Sequence, residues 1–251
     1  MRFIDIHTHI IPEVDDGSKN MEETIAMLSV AYEEGTREIV ATPHMFLDLF
    51  DNFDFLKMRD RFSQFISDLE SRQDRFGFLK EFEVYLGAEN YVCPEFLEAL
   101  EQGRVLTLNG SRYLLIEVSP TLPFTQIQNA IQKVFLSGYT PVLAHIERCA
   151  AIQQDPLRAV DLWEMGCVTQ VNSGSLLGKS RSQARKCADR LLREGLVDVI
   201  ASDTHRPLWR PPNLGQVLQN FQSKYATEDL KEWLSDNPSS IVSNHILEAG
   251  F

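Results

Sequence analysis

Seven short apolar runs recur along the chain, each about strand length, and helical patterns separate them. They are RFIDI (2–6), EIVAT (38–42), FEVYLG (82–87), YLLIEV (113–118), PVLAHI (141–146), CVTQVN (167–172) and VDVIAS (197–202). Val, Ile, Leu and Tyr enrichment at this length predicts strands. Between them, Asn20 with Glu23 resembles a capping box, and Gly35 would close that helix. Residues 54–76 carry Phe55, Met58, Phe62, Phe65, Ile66 and Leu69 at helical spacing, and 124–137, 155–165 and 180–194 look similar, with Pro156 suiting a first turn. Such alternation predicts a parallel sheet with right-handed crossovers. Seven strands in 251 residues predict one domain over 1–251, closed as a barrel, with an open doubly wound sheet as the alternative. No low-complexity linker, solenoid repeat or break in composition divides the chain.

The residues that follow each run carry the functional signal. In order they are His7, His9 and Asp16; His44; Glu89; Glu117; His145 with Arg148; Asn172; and Asp203 with His205. Active sites of parallel α/β proteins lie at the carboxyl ends of strands, and here five of the six histidines fall there. His245 is the exception and reads as structural. One histidine at a strand end is weak evidence, but the joint pattern predicts a metal centre.

In an extended segment, residues i and i+2 point the same way, so His7 and His9 can share one ion while Thr8 points elsewhere. Asp16 would return on a loop helped by Pro12 and Gly17. Asp5 would either hold an imidazole N–H or be a plain strand-end charge. Five imidazoles and four carboxylates, with no cysteine among them, suit Mn, Fe or Zn. Nine ligands exceed one ion's needs and fit two or three bridged ions, a design suited to in-line displacement at phosphorus. Arg148 and Arg210 are placed to grip phosphoryl oxygens, with Arg206 as a competitor for the second role.

Composition narrows the partners. The net charge of −12 argues against non-specific nucleic-acid binding, but not against an anionic substrate, because a metal cluster can reverse the local sign. The N-terminus lacks a signal-peptide pattern, and no run approaches the roughly 18 apolar residues of a membrane span. Four cysteines without a CxxC pair fit a reduced, cytoplasmic protein that is not membrane-inserted.

The segments DIHTHIIPEVDDG, ATPH, GAE, IE, AHIER, VNSGSLLG and SDTHRPLWRPP resemble the PHP (polymerase and histidinol phosphatase) superfamily, nearly end to end and in intact order. The two aspartates of the first motif, together with RPP, are most similar to its bacterial protein-tyrosine phosphatases of capsule and exopolysaccharide loci. This resemblance implies a distorted, TIM-like (β/α)7 barrel with three ions, usually Mn2+. It also implies metal ligation by His7, His9, Asp16, His44, Glu89, Glu117, His145, Asp203 and His205, and phosphate binding by Arg148 and Arg210. The implied partner is the phosphotyrosine tail of a bacterial tyrosine kinase that controls polysaccharide polymerisation. The expected reaction is phosphomonoester hydrolysis by metal-activated water attacking in line, with Asp203 or His205 as candidate proton relays. The alternatives are another PHP phosphoesterase, such as one acting on histidinol phosphate, and a catalytically silent metal-binding regulator.

Three features are decoys or open readings. Cys187 to Arg193 satisfies C-x5-R but sits in a helical pattern without glycine. NSGSLLGKS (172–180) falls one residue short of a Walker loop, which leaves Lys179 to cap a groove or face solvent, and Asn172 to serve as a turn residue or a cluster hydrogen-bond partner. The phenylalanines of MFLDLFDNFDF (45–55) would pack under the rim, or Phe46 and Phe50 would wall a site for a tyrosine ring.

Overall fold

The chain enters on a fully buried strand, β1 (Phe3–Thr8), and every later strand pairs in parallel. The computed structural model describes residues 1–178 and 182–247, so Lys179 lies outside the described residues. The strands that follow are β2 (Thr36–Ala41), β3 (His44–Met45), β4 (Glu83–Leu86), β5 (Glu89–Tyr91), β6 (Tyr113–Glu117), β7 (Thr140–Leu143), β8 (Val168–Asn172) and β9 (Val199–Ala201). The helices are α1 (Met21–Glu33), α2 (Phe55–Glu70), α3 (Pro94–Glu101), α4 (Phe124–Leu136), α5 (Ala150–Gln154), α6 (Arg158–Glu164), α7 (Ser173–Leu177), α8 (Gln183–Arg193), α9 (Leu214–Phe221), α10 (Thr227–Lys231) and α11 (Asn237–Val242).

All seven apolar runs contain strand, but two chain paths break. Pro43, which has no N–H to give a ladder, interrupts β2 from β3, and Gly87-Ala88 interrupts β4 from β5. Hydrogen bonds from Gly87 N to Ala41 O (2.8 Å) and from Glu89 N to Pro43 O (3.1 Å) carry the pairing across both breaks. The sheet therefore runs β1-β2-β4 and β3-β5-β6-β7-β8-β9. A parallel bridge between Thr8 and Thr204 brings the end of β1 beside the segment after β9.

Side chains alternate across the curved sheet, as the strand period requires. Tyr113 and Leu115 join an inner cluster with Ile4, Ile6, Val40, Val142 and Val199. Leu114 and Ile116 face the larger core under the helices. The helices follow the expected faces: α2 buries Met58, Phe65 and Leu69. It ends at Glu70, short of the expected 76, and α6 starts two residues after Pro156. The Asn20 side chain caps α1 by accepting from Glu23 N, and Gly35 (φ 97°) follows its end. Glu23 returns its bond to Lys19 N (2.8 Å) instead of Asn20 N.

Candidate metal centre

Parallel pairing places the strand ends on one rim, and Glu89 stands at its centre. His44 and Glu89 are register partners, as are Tyr91 and Glu117. Glu89 Oε2 lies 3.1 Å from His7 Nε2, 3.2 Å from His9 Nε2 and 3.2 Å from His44 Nδ1, while Oε1 lies 2.8 Å from His145 Nε2. Asp203 Oδ1 is 3.5, 3.4 and 3.5 Å from His7 Nε2, His9 Nε2 and His205 Nδ1. Asp16 Oδ1 approaches His205 Nε2 at 3.2 Å and His44 Nε2 at 3.6 Å. Glu117 closes the set, 3.7 Å from both His44 Nδ1 and His145 Nε2. Three overlapping groups result: His7, His9, Glu89 and Asp203; His9, Asp16, His44 and His205; His44, Glu89 and Glu117. These groups hold eight of the nine residues singled out in the sequence, and His145 joins them through Glu89 Oε1 (2.8 Å).

The loop that delivers Asp16 depends on close backbone approach. Ser18 N donates to His9 O (3.0 Å), and a Cβ on Gly17 would meet that same oxygen at 2.2 Å. Thr8 points away from the site, its hydroxyl donating to Val40 O (2.9 Å).

The donor set fits divalent cations on its own chemistry. His9 Nδ1 donates to Asp15 Oδ2 (2.7 Å), and His7 Nδ1 donates to Gln170 Oε1 (3.1 Å). Both neutral rings then aim their Nε2 lone pairs at each other across 3.3 Å. A positive species must sit there, whether a proton or a cation. Glu89 Oε2, Asp203 Oδ1 and His44 Nδ1 are buried without hydrogen-bond partners, and a metal would satisfy all three. Without one, protons do the work. Burial pulls His7 and His9 down, but Glu89 and Asp203 beside the first, and Asp15 beside the second, hold both above the usual range. Burial, then the Glu89 and Asp203 charges, push Glu117 up to about 9.

Arg148 Nη1 lies 3.2 Å from Asp203 Oδ2, and Arg210 Nη2 donates to the same oxygen. Arg210 Nη1 also donates to His205 Nε2 (2.9 Å). Two guanidinium groups therefore flank one edge of the cluster. His145, Asp203 and Arg210 all adopt left-handed backbone, at φ 34°, 54° and 55°. Non-glycine residues occupy that region only a few per cent of the time, and such strain is enriched at functional sites.

Residues 3–243 match the capsular polysaccharide synthesis CpsB/CapC family. The chain belongs to that family. It is 35% identical to tyrosine-protein phosphatase CpsB of Streptococcus pneumoniae, across 97% of this chain and 100% of that one. It is 30% identical to tyrosine-protein phosphatase YwqE of Bacillus subtilis, across 97% and 93%. A chain from the crystal structures of YwqE and CpsB, described as unique metal-dependent tyrosine phosphatases, superposes with a TM-score of 0.86 at 28% identity, covering 98% of this chain and 96% of that one.

This CpsB/CapC member also uses residues that sequence reasoning missed. Asp15 fixes the His9 tautomer, accepts from His44 N (3.0 Å) and is held below the usual carboxylate range by His9 against its own burial. The doubled aspartate of DDG was its only signal. Gln170 holds both His7 and His145 N, and passes a hydrogen bond through Asn172 (2.8 Å) to Asp203 (2.5 Å). Asn172 is therefore a cluster partner and no mere turn residue. Buried Glu147 accepts from Asn172 N and from the Ser175 hydroxyl (2.5 Å).

Other readings change. Asp5 reaches no imidazole; the pairing of β1 slips between Asp5 and Thr8, and its carboxylate accepts from His7 N and Ser202 N. Arg206 pairs with Glu23 (3.0 Å) and donates to Asp16 O (3.2 Å), whereas Arg148 and Arg210 converge on Asp203. Phe46 packs on Phe53 and Phe96 in the core, whereas Phe50 stacks on His44. Cys187 is buried mid-α8, where burial pushes its thiol up to about 12, so the C-x5-R decoy is inert. His245 contributes its backbone carbonyl to Tyr113 Oη (2.7 Å), a structural contact.

Proposed function

We propose that this chain is a metal-dependent protein-tyrosine phosphatase in capsule or exopolysaccharide regulation. The observation that carries this reading is the juxtaposition of unsatisfied lone pairs with two guanidinium groups on one rim. The names of the relatives it resembles along their whole length support the substrate class. We assign the ligands as His7, His9, Asp16, His44, Glu89, Glu117, His145, Asp203 and His205, holding three manganese ions. Bound there, the metals supply Lewis acidity and an activated water. Arg148 and Arg210 orient the phosphoryl group and neutralise the charge that spreads over its oxygens. Asp203 lies between both arginines and the His7–His9 pair, so it couples phosphate binding to the cluster. A tyrosinate leaves readily, because its conjugate acid titrates near pH 10.

We further read residues 1–251 as one PHP domain, a distorted seven-stranded barrel whose paths β2–β3 and β4–β5 each count as one strand, with the Thr8–Thr204 bridge as its closure. The substrate is the phosphotyrosine tail of a bacterial tyrosine kinase, met in the cytoplasm. No helix among the described residues is long and apolar enough to cross a membrane.

The test is p-nitrophenyl phosphate hydrolysis with added Mn2+, with EDTA and with iodoacetamide, followed by a panel of phosphotyrosine peptide and histidinol phosphate. Activity that needs metal and survives alkylation is expected, with preference for the peptide. Activity that survives EDTA and dies on alkylation would overturn the reading.

A further inference from the structure

Three of the eight large apolar side chains most exposed among the described residues lie on the two loops that follow His44 and His205. They are Leu49 (78% exposed), Leu208 (93%) and Trp209 (58%). Both imidazoles belong to the outer group with Asp16, whose carboxylate is half exposed. This is where the centre opens to solvent.

Two aromatic rings border that opening. Phe50 stacks nearly parallel on His44, with centroids 5.4 Å apart and planes at 14°. Trp209 stands edge-on to His205, at 6.0 Å and 90°. The two imidazoles are themselves 6.3 Å apart, so each ring is anchored to one member of an adjacent histidine pair. Arg210 belongs to the same loop as Trp209, and its guanidinium carbon lies 5.6 Å from the indole ring. That arginine reaches Asp203 inside the site. A phosphoryl group held by Arg210 would thus sit within reach of the Trp209 ring. Phe50 also lines a surface cleft of mixed character, with Val14 and Phe53 beside Asp51 and Arg61.

Resting on the phosphatase reading above, we propose that Phe50 and Trp209 are specificity-determining walls that receive the phenyl ring of phosphotyrosine. A phenyl ring gains offset or edge-to-face contact with both walls. The short aliphatic stem of phosphoserine has no π-face to offer and leaves the indole wet. The core position of Phe46 removes it from this role.

The experiment compares kcat/KM for a phosphotyrosine peptide and the matched phosphoserine peptide, with the Mn2+-loaded full chain. Trp209→Ala and Phe50→Ala should each lower the aryl-to-alkyl ratio about tenfold, chiefly through KM for the aryl peptide. Trp209→Phe should restore most of the ratio. Equal losses on both peptides would mean a merely structural role and would overturn the proposal, as would an unchanged ratio. Wild-type protein that hydrolyses neither peptide nor p-nitrophenyl phosphate would defeat the phosphatase reading itself, a result separate from any variant effect.

Discussion

At the scale of single residues, the tautomers decide what the centre can hold. Asp15 makes the His9 Nδ1–H a donor and thereby frees Nε2. Asp15→Asn retains shape but loses the charge, and its amide can present N–H where an acceptor is needed. We expect metal affinity to fall about 10–100-fold, as for other carboxylate–histidine pairs; isothermal titration with Mn2+ reads this directly. The arginines make the opposite case. If Arg148 and Arg210 grip the phosphoryl group as proposed, Arg148→Ala or Arg210→Ala should lower kcat/KM about 10²-fold while Mn2+ binding persists. An equal fall in metal content would show that the guanidinium groups hold the cluster together, with no separate part in catalysis.

At the scale of elements, the loop after β1 turns on a single glycine. It must fold back so that Asp16 meets His205 and His44, and Gly17 permits this by lying against His9 O. Gly17→Ala should push the loop off, weaken Mn2+ binding and lower the melting temperature of the loaded protein; differential scanning calorimetry with and without metal separates the two effects. The Arg206–Glu23 pair ties the same loop to the first turn of α1 through Asp16 O. The parallel strands and the nine converging side chains were legible because apolar runs and the residues after them are local patterns. The breaks at Pro43 and Gly87 were less so, since hydrogen bonds from neighbouring paths carry the ladder across them. Gln170 was invisible, because its role needs β1 and the turn after β7 to meet at β8. The register slip that redirects Asp5 is likewise a property of paired strands. Phe46 takes the first of its two readings and packs under the rim, while Phe50 stays beside His44, a split that needs the folded loop to decide.

At the scale of the whole molecule, the cluster concentrates negative charge in a chain already at −12, so metal and fold are linked. Glu117 titrates higher in the metal-free fold than in the unfolded chain, at about 9 against an ordinary 4.5. His7 and His9 are raised as well. Between the unfolded and folded values the fold binds more protons than the unfolded chain, and its stability falls as pH rises. The depressed groups do not oppose this near neutrality. Asp16 and Glu89 lose their contribution only in acid, and His44 and His205 destabilise only below the ordinary histidine range. The stripped protein should therefore lose stability from pH 7 to 8, by up to about 1.4 kcal/mol per pH unit for each retained proton. The loaded protein, whose protons the metals have displaced, should stay level over the same range. Apparent Mn2+ affinity should rise with pH for the same reason, with proton release visible as buffer-dependent heats in calorimetry. Parallel slopes for stripped and loaded protein would mean that the cluster does not carry these protons.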